Sequence, residues 1–295
     1  MSSDPSAVIR SGLSAAISAG GIVPDDQKHL TRYPFLFLVD VSASTAMGGN
    51  DADIYTINQT LTDILEMLRM PPPGNELADK NHQIDVCVIS YSDDPVVEID
   101  WTIATNLPHS VNFDARRSTC TYAALNEALN QIAERLRYYK DPANNIPSSG
   151  LAHIFHITDG APTDFAIGTP LWDKMHARLT KLSGGSNPER QQAVIIHFIT
   201  PNGCRIVDPD YSPRDETGTV LTGQEALSRL SGTETVYELS QGIQSMPDLI
   251  ALVTHVVSRV TETFGDSDGD DLPIAIKAAQ EHLTQGAGTI RASDV

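Results

Sequence analysis

The sequence contains little cysteine, and this scarcity excludes two kinds of architecture. Its 295 residues include three cysteines, Cys87, Cys120 and Cys204. They are too few and too widely spaced for a disulfide framework or for a CxxC zinc knuckle. Cys87 lies in the apolar run 84–90, so we expect it to be a small buried side chain.

Basic residues are also scarce. The chain has 20 Lys and Arg against 38 Asp and Glu, which gives a formal net charge of −18. Proteins that bind the phosphates of nucleic acids need clustered positive charge. Binding to an anionic membrane surface likewise depends on clustered positive charge. We therefore expect neither nucleic acid nor a membrane as a partner. The excess of acid instead favours a partner protein with a basic surface.

Long apolar runs are absent from the sequence as well. No run approaches the roughly 20 residues that a membrane-spanning helix needs. The first residues do not resemble a secretory signal, because Asp4 stands where positive charge is expected and Arg10 interrupts the apolar stretch. These features predict a cytoplasmic protein.

What the sequence does contain is a regular alternation of apolar runs with helical patterns. The predicted strands are 34–39, 84–89, 96–99, 152–158, 193–199 and 235–239, and the predicted helices are 54–68, 122–138, 170–182, 224–230 and 247–264. Strands that are apolar throughout and separated by helices are typical of parallel sheets covered on both faces. We therefore predict an α/β fold, a doubly wound and mostly parallel central sheet with helices on both faces.

The composition changes at both ends of this pattern. Residues 1–29 are predicted to be an N-terminal extension, either a docking arm or a disordered segment, and residues 30–264 one domain. Residues 265–295 are predicted to be an acidic tail. Within it, 266–271 is similar to a calcium-binding loop but lacks the glycine and glutamate of that loop, so we favour a solvated segment.

Small oxygen-bearing side chains lie next to three of the predicted elements. The run 40–44 (Asp-Val-Ser-Ala-Ser) comes directly after the first strand, 118–119 (Ser-Thr) precedes the helix 122–138, and 158–160 (Thr-Asp-Gly) ends the strand 152–158. Ligands of open α/β sheets bind beyond the carboxyl ends of the strands. Carboxylates and hydroxyls without His or Cys suit Mg²⁺, Mn²⁺ or Ca²⁺ better than zinc.

The DxSxS run at 40–44, the threonine at 119 and the TDG run at 158–160 resemble the metal-ion-dependent adhesion site (MIDAS) of the von Willebrand factor A (VWA) domain. The resemblance covers about 30–264, and the run 157–164 looks most like the bacterial branch found with tellurite-resistance and stress gene clusters. The resemblance implies that metal ligands, direct or through water, are Asp40, Ser42, Ser44, Thr119 and Asp159.

Some neighbouring residues leave alternatives open. This chain has Ser118 where the family commonly has glycine, and Thr121 could replace Thr119 as a ligand. Asp164 is a helix cap, a partner of the metal's bound waters or both, and we favour the cap. The histidines are not predicted to bind metal, because two of them, three residues apart on one strand, face opposite sides of the sheet and the third is expected in the core. They are His153, His156 and His197.

The resemblance implies a non-catalytic interaction module in which an Asp or Glu of a partner protein completes the coordination of a divalent cation, Mg²⁺ most of all. Its bacterial branch implies an adaptor in a stress or defence signalling complex, with a kinase and a phosphatase as candidate partners. One alternative is an assembly subunit with a vestigial metal site. Another is a Mg²⁺-dependent aspartyl phosphotransferase with Asp40 as nucleophile, but Ser42 stands where such enzymes have a second acid. We therefore predict that the protein is not an enzyme.

Overall fold

The computed structural model describes the strands, the main helices and the loops that join them at the edges of the sheet. The described residues are 21–42, 52–72, 77–116, 118–148, 151–158, 162–164, 166–182, 194–200, 214–215, 217–221, 223–231, 236–239 and 290–292. In this part of the chain the strands are β1 (Tyr33–Asp40), β2 (Ile84–Tyr91), β3 (Pro95–Ile103), β4 (Ala152–Ile157), β5 (Val194–Thr200), β6 (Val236–Leu239) and β7 (Ile290–Ala292). The helices are α1 (Ala52–Arg69), α2 (Thr121–Lys140), α3 (Pro170–Leu182) and α4 (Gly223–Ser231).

The strands form one mixed sheet in the order β3-β2-β1-β4-β5-β6-β7. Five neighbouring strands pair in parallel, namely β2, β1, β4, β5 and β6. β3 and β7 pair antiparallel to their neighbours at the two edges of the sheet. The direction of winding reverses between β1 and β4, which makes the gap at their carboxyl ends the topological switch point of the sheet. The prediction of a doubly wound, mostly parallel sheet is confirmed.

Both faces of the sheet are covered by helices. All eight residues of β1 are buried, and successive side chains point to opposite faces. Phe37 and its alternate neighbours pack with α1, while Leu36 and Leu38 pack with α2, α3 and α4. The predicted strand was apolar throughout for this reason, since each of its side chains lies in one of two cores.

The bounds of the elements differ from the predicted ones mainly at the edges of the sheet. β3 extends to Ile103, four residues beyond the predicted strand 96–99. Its second half alternates between buried and partly exposed residues and is therefore not apolar throughout. β7 lies within the range predicted as an acidic tail, and no strand was predicted there. The predicted helix 247–264 and the run 266–271 lie outside the described residues.

A buried ion cluster lies at the amino edge of the sheet. The Asp85 carboxylate accepts hydrogen bonds from Arg135 Nη2 at 2.6 Å and from the Tyr139 hydroxyl at 2.5 Å, and Arg32 Nη1 lies 3.4 Å from its other oxygen. Arg135 Nη1 also donates to the Gly21 carbonyl at 3.0 Å. The cluster therefore joins β2, α2 and the segment that leads into β1.

No helix in the described residues is long and apolar enough to cross a membrane.

Candidate metal site

Asp40 is the last residue of β1 and lies at the switch point of the sheet. Its side chain is fully buried, and both carboxylate oxygens accept hydrogen bonds. The Ser42 N–H donates to Oδ1 at 2.9 Å, and the Thr158 hydroxyl donates to Oδ2 at 2.8 Å. Because one donor follows β1 and the other follows β4, the carboxylate is oriented across the ends of two adjacent strands.

Ser42 brings a second loop against the end of β1. It is fully buried and forms a parallel bridge with Arg116, and the Arg116 N–H donates to the Val41 carbonyl at 2.9 Å. The Val41 N–H in turn donates to the Tyr91 carbonyl at 3.0 Å at the end of β2. The backbone that follows β1 is thus held between the end of β2 and the segment at Arg116, and it carries the predicted ligand Ser42.

Thr119 lies in a loop that is held at the same edge by three hydrogen bonds. The Thr163 N–H donates to the Thr119 carbonyl at 2.9 Å, and the Thr119 N–H donates to the Thr163 hydroxyl at 3.1 Å. The Cys120 N–H donates to the Ser92 carbonyl at 2.7 Å. The loop is therefore fixed on one side to the segment after β4 and on the other side to the end of β2.

Asp164 caps the amino end of α2 from a distant part of the chain. Its two carboxylate oxygens accept the N–H groups of Tyr122 and Ala123, each at 3.0 Å. These donors belong to the first turn of the helix, where N–H groups have no partner within the helix and a carboxylate is favoured. Burial raises the pKa of Asp164, and the hydrogen bonds oppose this shift. The cap that we favoured from the sequence is confirmed.

Three of the five predicted ligands are described, and they lie at one edge of the sheet: Asp40, Ser42 and Thr119 are all nearly or fully buried there. Ser44 and Asp159 lie outside the described residues. No group of three His, Cys, Asp or Glu side chains in the described part of the chain is placed to hold a metal ion. Within that part, the predicted site contributes one carboxylate, and its other ligands are hydroxyls.

The donor atoms at this edge fit a hard divalent cation. Besides the oriented Asp40 carboxylate, the hydroxyls of Ser92 and Thr121 are buried and have no hydrogen-bond partner among the described residues. A buried hydroxyl without a hydrogen-bond partner lowers the stability of the fold by about 1–3 kcal/mol. A water or an ion bound to these hydroxyls would therefore stabilise the fold. Thr121 is the residue that could replace Thr119. Burial and the nearby Asp164 raise the pKa of the Cys120 thiol.

The histidines are engaged elsewhere, in the core. His153 Nδ1 lies 3.0 Å from His197 Nε2, and both rings stack with phenylalanines of the core that faces α1. His156 Nε2 lies 2.7 Å from the Tyr91 hydroxyl, which belongs to the opposite core. The prediction that His153 and His156 face opposite sides of the sheet is confirmed. Burial lowers the pKa of all three imidazoles, to about 3 for His156 and about 4 for His197.

The sequence prediction did not include the hydrogen bond that Thr158 donates to Asp40. The sequence pattern shows Thr158 only as the first residue of the TDG run and predicts no role for it. Thr158 is 118 residues from Asp40 in the sequence. Its buried hydroxyl reaches the carboxylate because β4 pairs with β1. The signal that would have revealed the contact is the strand order, which the sequence alone does not contain.

No known sequence family and no curated protein matches this chain. Among solved structures it is similar to the pilus adhesin SpaC from Lactobacillus rhamnosus GG, with a TM-score of 0.51 and 11% identity over 78% of this chain and 31% of SpaC. The ArnB paralog VWA2 from Sulfolobus acidocaldarius gives a TM-score of 0.41 and 12% identity over 77% of this chain and 45% of that one.

A mussel byssus protein, proximal thread matrix protein 1, was solved with a zinc-occupied MIDAS motif. It gives a TM-score of 0.36 and 12% identity over 76% of this chain and 46% of its own. This chain therefore spans between about a third and a half of these three proteins. At such low identity the likeness concerns the fold alone. Together with the strand order and its switch point, the likeness to SpaC indicates a doubly wound α/β fold.

Proposed function

We propose that this chain is a non-catalytic interaction module that binds a divalent cation, most of all Mg²⁺, beyond the carboxyl ends of β1 and β4. The observation that carries the proposal is the fully buried Asp40 carboxylate, which Ser42 and Thr158 orient across the switch point. A carboxylate held in this way offers an oxygen-only environment to a hard cation. The Ser42, Thr119 and Ser44 hydroxyls are the neutral ligands, and Asp159 acts mostly through water.

The charge of this ligand set determines what it attracts. One direct carboxylate and several neutral hydroxyls leave a divalent cation with surplus positive charge, and the cation supplies a Lewis-acidic position for an incoming oxygen. The preferred ligand at that position is the carboxylate of an Asp or Glu from a partner protein. The chain's own residues hold the cation and shape the surface around it.

The surface around the site selects the partner further. Asp93 and Asp94 form the exposed turn between β2 and β3, at the same edge of the sheet as Asp40. The chain as a whole carries a formal net charge of −18. A partner that presents one carboxylate among basic side chains satisfies both the cation and this rim.

The resemblance of the run 157–164 to the stress-cluster branch supports a further part of the proposal: the partner belongs to a bacterial stress or defence complex in the cytoplasm, with a kinase or a phosphatase as a candidate.

The proposal is tested first by cation binding. We expect Mn²⁺, a paramagnetic substitute for Mg²⁺, to bind the full chain with 1:1 stoichiometry in electron paramagnetic resonance titrations, and excess Mg²⁺ to displace it. Asp40→Asn keeps the shape of the side chain and is expected to abolish this binding. Asp79→Asn is the matched control, because Asp79 is an exposed aspartate just before β2, at the opposite edge of the sheet. Equal binding by both variants would place the cation elsewhere.

Partner binding is the second test. We expect the immobilised chain to retain a specific protein from a lysate of the source cells in Mg²⁺ and to release it in EDTA, and Asp40→Asn to retain none. Retention that survives both EDTA and Asp40→Asn would favour the alternative of an assembly subunit with a vestigial metal site. Transfer of phosphate from acetyl phosphate to the chain, lost in Asp40→Asn, would instead favour the phosphotransferase.

A further inference from the structure

β3 is the last strand on one side of the sheet, and the backbone groups in its second half already have partners outside β2. The Trp101 carbonyl accepts the Gly21 N–H at 2.5 Å, and the Trp101 N–H donates to the Asp100 carboxylate at 2.8 Å. The Thr102 hydroxyl donates to the Asp100 carbonyl at 2.7 Å. This half of the outer edge is therefore closed to a further strand.

The first half of β3, residues 95–98, has an open outer edge. Its pairing with β2 is regular, with Pro95 opposite Tyr91 and Val97 opposite Ile89. Among the described residues, no hydrogen bond from outside this pairing reaches the backbone of 95–98. An edge strand directs part of its N–H and C=O groups away from its neighbour, where they are available to another strand. We call residues 95–98 the open edge.

The side chains of the open edge are accessible as well. Val96 and Val97 are 36% and 37% exposed, and Glu98 is also exposed. Burial begins only at Ile99. The helices that cover the sheet thus leave this end of β3 accessible, and a second strand can lie along it without displacing a helix.

The two faces of the open edge differ in chemistry, because successive side chains of a strand point to opposite faces. Val97 lies opposite Ile89 and points to the same face, so this face is apolar. Val96 lies opposite Ser90, whose hydroxyl donates to the Glu98 carboxylate, so this face carries an acid. A strand that pairs here meets an apolar surface on one face and a negative charge on the other.

The charges around the open edge are all of one sign. Asp93 and Asp94 form the turn before it, Glu98 lies in it and Asp100 follows it, and the sequence contains no Lys or Arg between Lys80 and Arg116. Opposite charges on neighbouring strands stabilise pairing, and like charges destabilise it. The open edge therefore favours a basic strand. It disfavours a second copy of β3, because that pairing brings carboxylates against carboxylates.

We propose that the open edge binds an extended segment of a partner protein, in which apolar residues alternate with Lys or Arg, as an added strand of the sheet. Backbone hydrogen bonds supply the affinity, and the side chains beside them supply the specificity. In an alternating segment the apolar residues all lie on the Val97 face and the basic residues all lie on the Glu98 face. None of the residues in this edge is a ligand of the proposed cation site, so the two proposals are independent.

A fluorescent peptide of the sequence Lys-Val-Lys-Val-Lys-Val is the probe, and its anisotropy measures binding to the full chain. We expect saturable binding with a Kd on the order of 1 mM or lower. The same peptide N-methylated at its two central residues cannot pair through either edge, and it should bind about tenfold more weakly or not at all. Equal binding of the two peptides, or no binding of either, would overturn the inference.

A charge reversal tests the position of the peptide. Glu98→Lys should weaken binding of the Lys-Val peptide about fivefold and should strengthen binding of a Glu-Val-Glu-Val-Glu-Val peptide. The gain for the acidic peptide distinguishes this result from a variant that fails to fold. Glu134→Lys makes the same change at an exposed position of α2 and should alter neither affinity. Equal effects of the two variants would overturn the inference, since the attraction would then be that of the net charge of −18 alone.

Hydrogen exchange followed by mass spectrometry locates the added strand. We expect the Lys-Val peptide to slow exchange in the fragment that covers 95–99, to leave α1 unchanged and to act equally in Mg²⁺ and in EDTA. A failure of the proposed cation site would therefore not affect this result. Slow exchange of 95–99 that rises with protein concentration, together with a dimer mass in light scattering, would overturn the inference, because a second copy would then occupy the edge.

Discussion

The hydroxyl of Thr158 donates a hydrogen bond of 2.8 Å to Oδ2 of Asp40, and it thereby joins the ends of β4 and β1 at the point where the winding of the sheet reverses. The Ser42 N–H holds the other carboxylate oxygen at 2.9 Å. Hydrogen bonds from residues that do not themselves bind the metal fix the orientation of a metal ligand. Thr158 is therefore a positioning residue for the proposed cation site.

Thr158→Val is expected to weaken Mn²⁺ binding about tenfold or more, because loss of a group that orients a metal ligand typically costs 10–100-fold in affinity. Valine keeps the size of the side chain and removes the donor to Asp40. Thr158→Ser restores the hydroxyl and should bind Mn²⁺ like the wild type. Titrations monitored by electron paramagnetic resonance measure both variants. Unchanged affinity of Thr158→Val would show that the Ser42 N–H alone is enough to orient the carboxylate.

Asp164→Ala is expected to lower the free energy of unfolding by about 1–2 kcal/mol, because the first turn of α2 loses its carboxylate cap. Urea unfolding followed by circular dichroism measures the change. Asp173→Ala is the control, since Asp173 also lies in the first turn of a helix, α3, but is exposed. If the two variants lose the same small amount of stability, the two hydrogen bonds from Tyr122 and Ala123 contribute nothing beyond the helix dipole.

The fold could be predicted from the sequence because the apolar patterns that indicate its strands and helices are local. The run 34–39 is apolar throughout since β1 is buried on both faces, and the helical spacing of apolar residues in 54–68 reflects one buried face of α1. The second half of β3 was missed because Asp100 and Thr102 interrupt the apolar pattern at the edge of the sheet.

Of the candidate site, only the placement of three candidate ligands at one edge of the sheet could be predicted from the sequence, and their binding of a metal stays a prediction. Asp40, Ser42 and Thr119 follow strand ends or precede a helix, and each of these positions can be read from one segment of the chain. The contacts that hold them join distant segments, such as Thr158 with Asp40 or Thr163 with Thr119. Which distant segments meet depends on strand order and on helix packing, and no local pattern in a single sequence records either.

Asp85→Asn is expected to lower the free energy of unfolding by about 3–5 kcal/mol, since it leaves two buried guanidinium groups without their carboxylate. Arg32, Arg135 and Asp85 are all essentially inaccessible to solvent. Urea unfolding measures the loss, with Asp63→Asn on the exposed face of α1 as the control. Because Arg135 also donates to the Gly21 carbonyl, the segment 21–32 should become accessible to limited proteolysis in Asp85→Asn before the domain unfolds. A loss below about 1 kcal/mol would contradict this account of the cluster.

The three buried histidines predict that the domain loses stability in mild acid. Burial lowers the pKa of His156 to about 3 and of His197 to about 4, and it holds the pKa of His153 well below its usual value of 6.5. In the unfolded chain these imidazoles take up protons below about pH 6.5, whereas the folded chain leaves them neutral until the pH falls near the lowered values. Unfolding therefore binds protons in this window, and the free energy of unfolding falls as the pH is lowered through it.

Each such histidine contributes a slope of about 1.4 kcal/mol per pH unit between the two pKa values. The double variant His153→Phe with His197→Phe keeps aromatic rings in the stack with Phe35 and Phe155 and removes two of these groups. We expect it to remove most of the slope that these two groups contribute, roughly 2–3 kcal/mol per pH unit between pH 5.5 and 4.5. Urea midpoints across this range measure the slope, and His29→Phe at an exposed position should leave it unchanged. An equal slope in the double variant and the wild type would mean that these imidazoles accept protons in the folded chain.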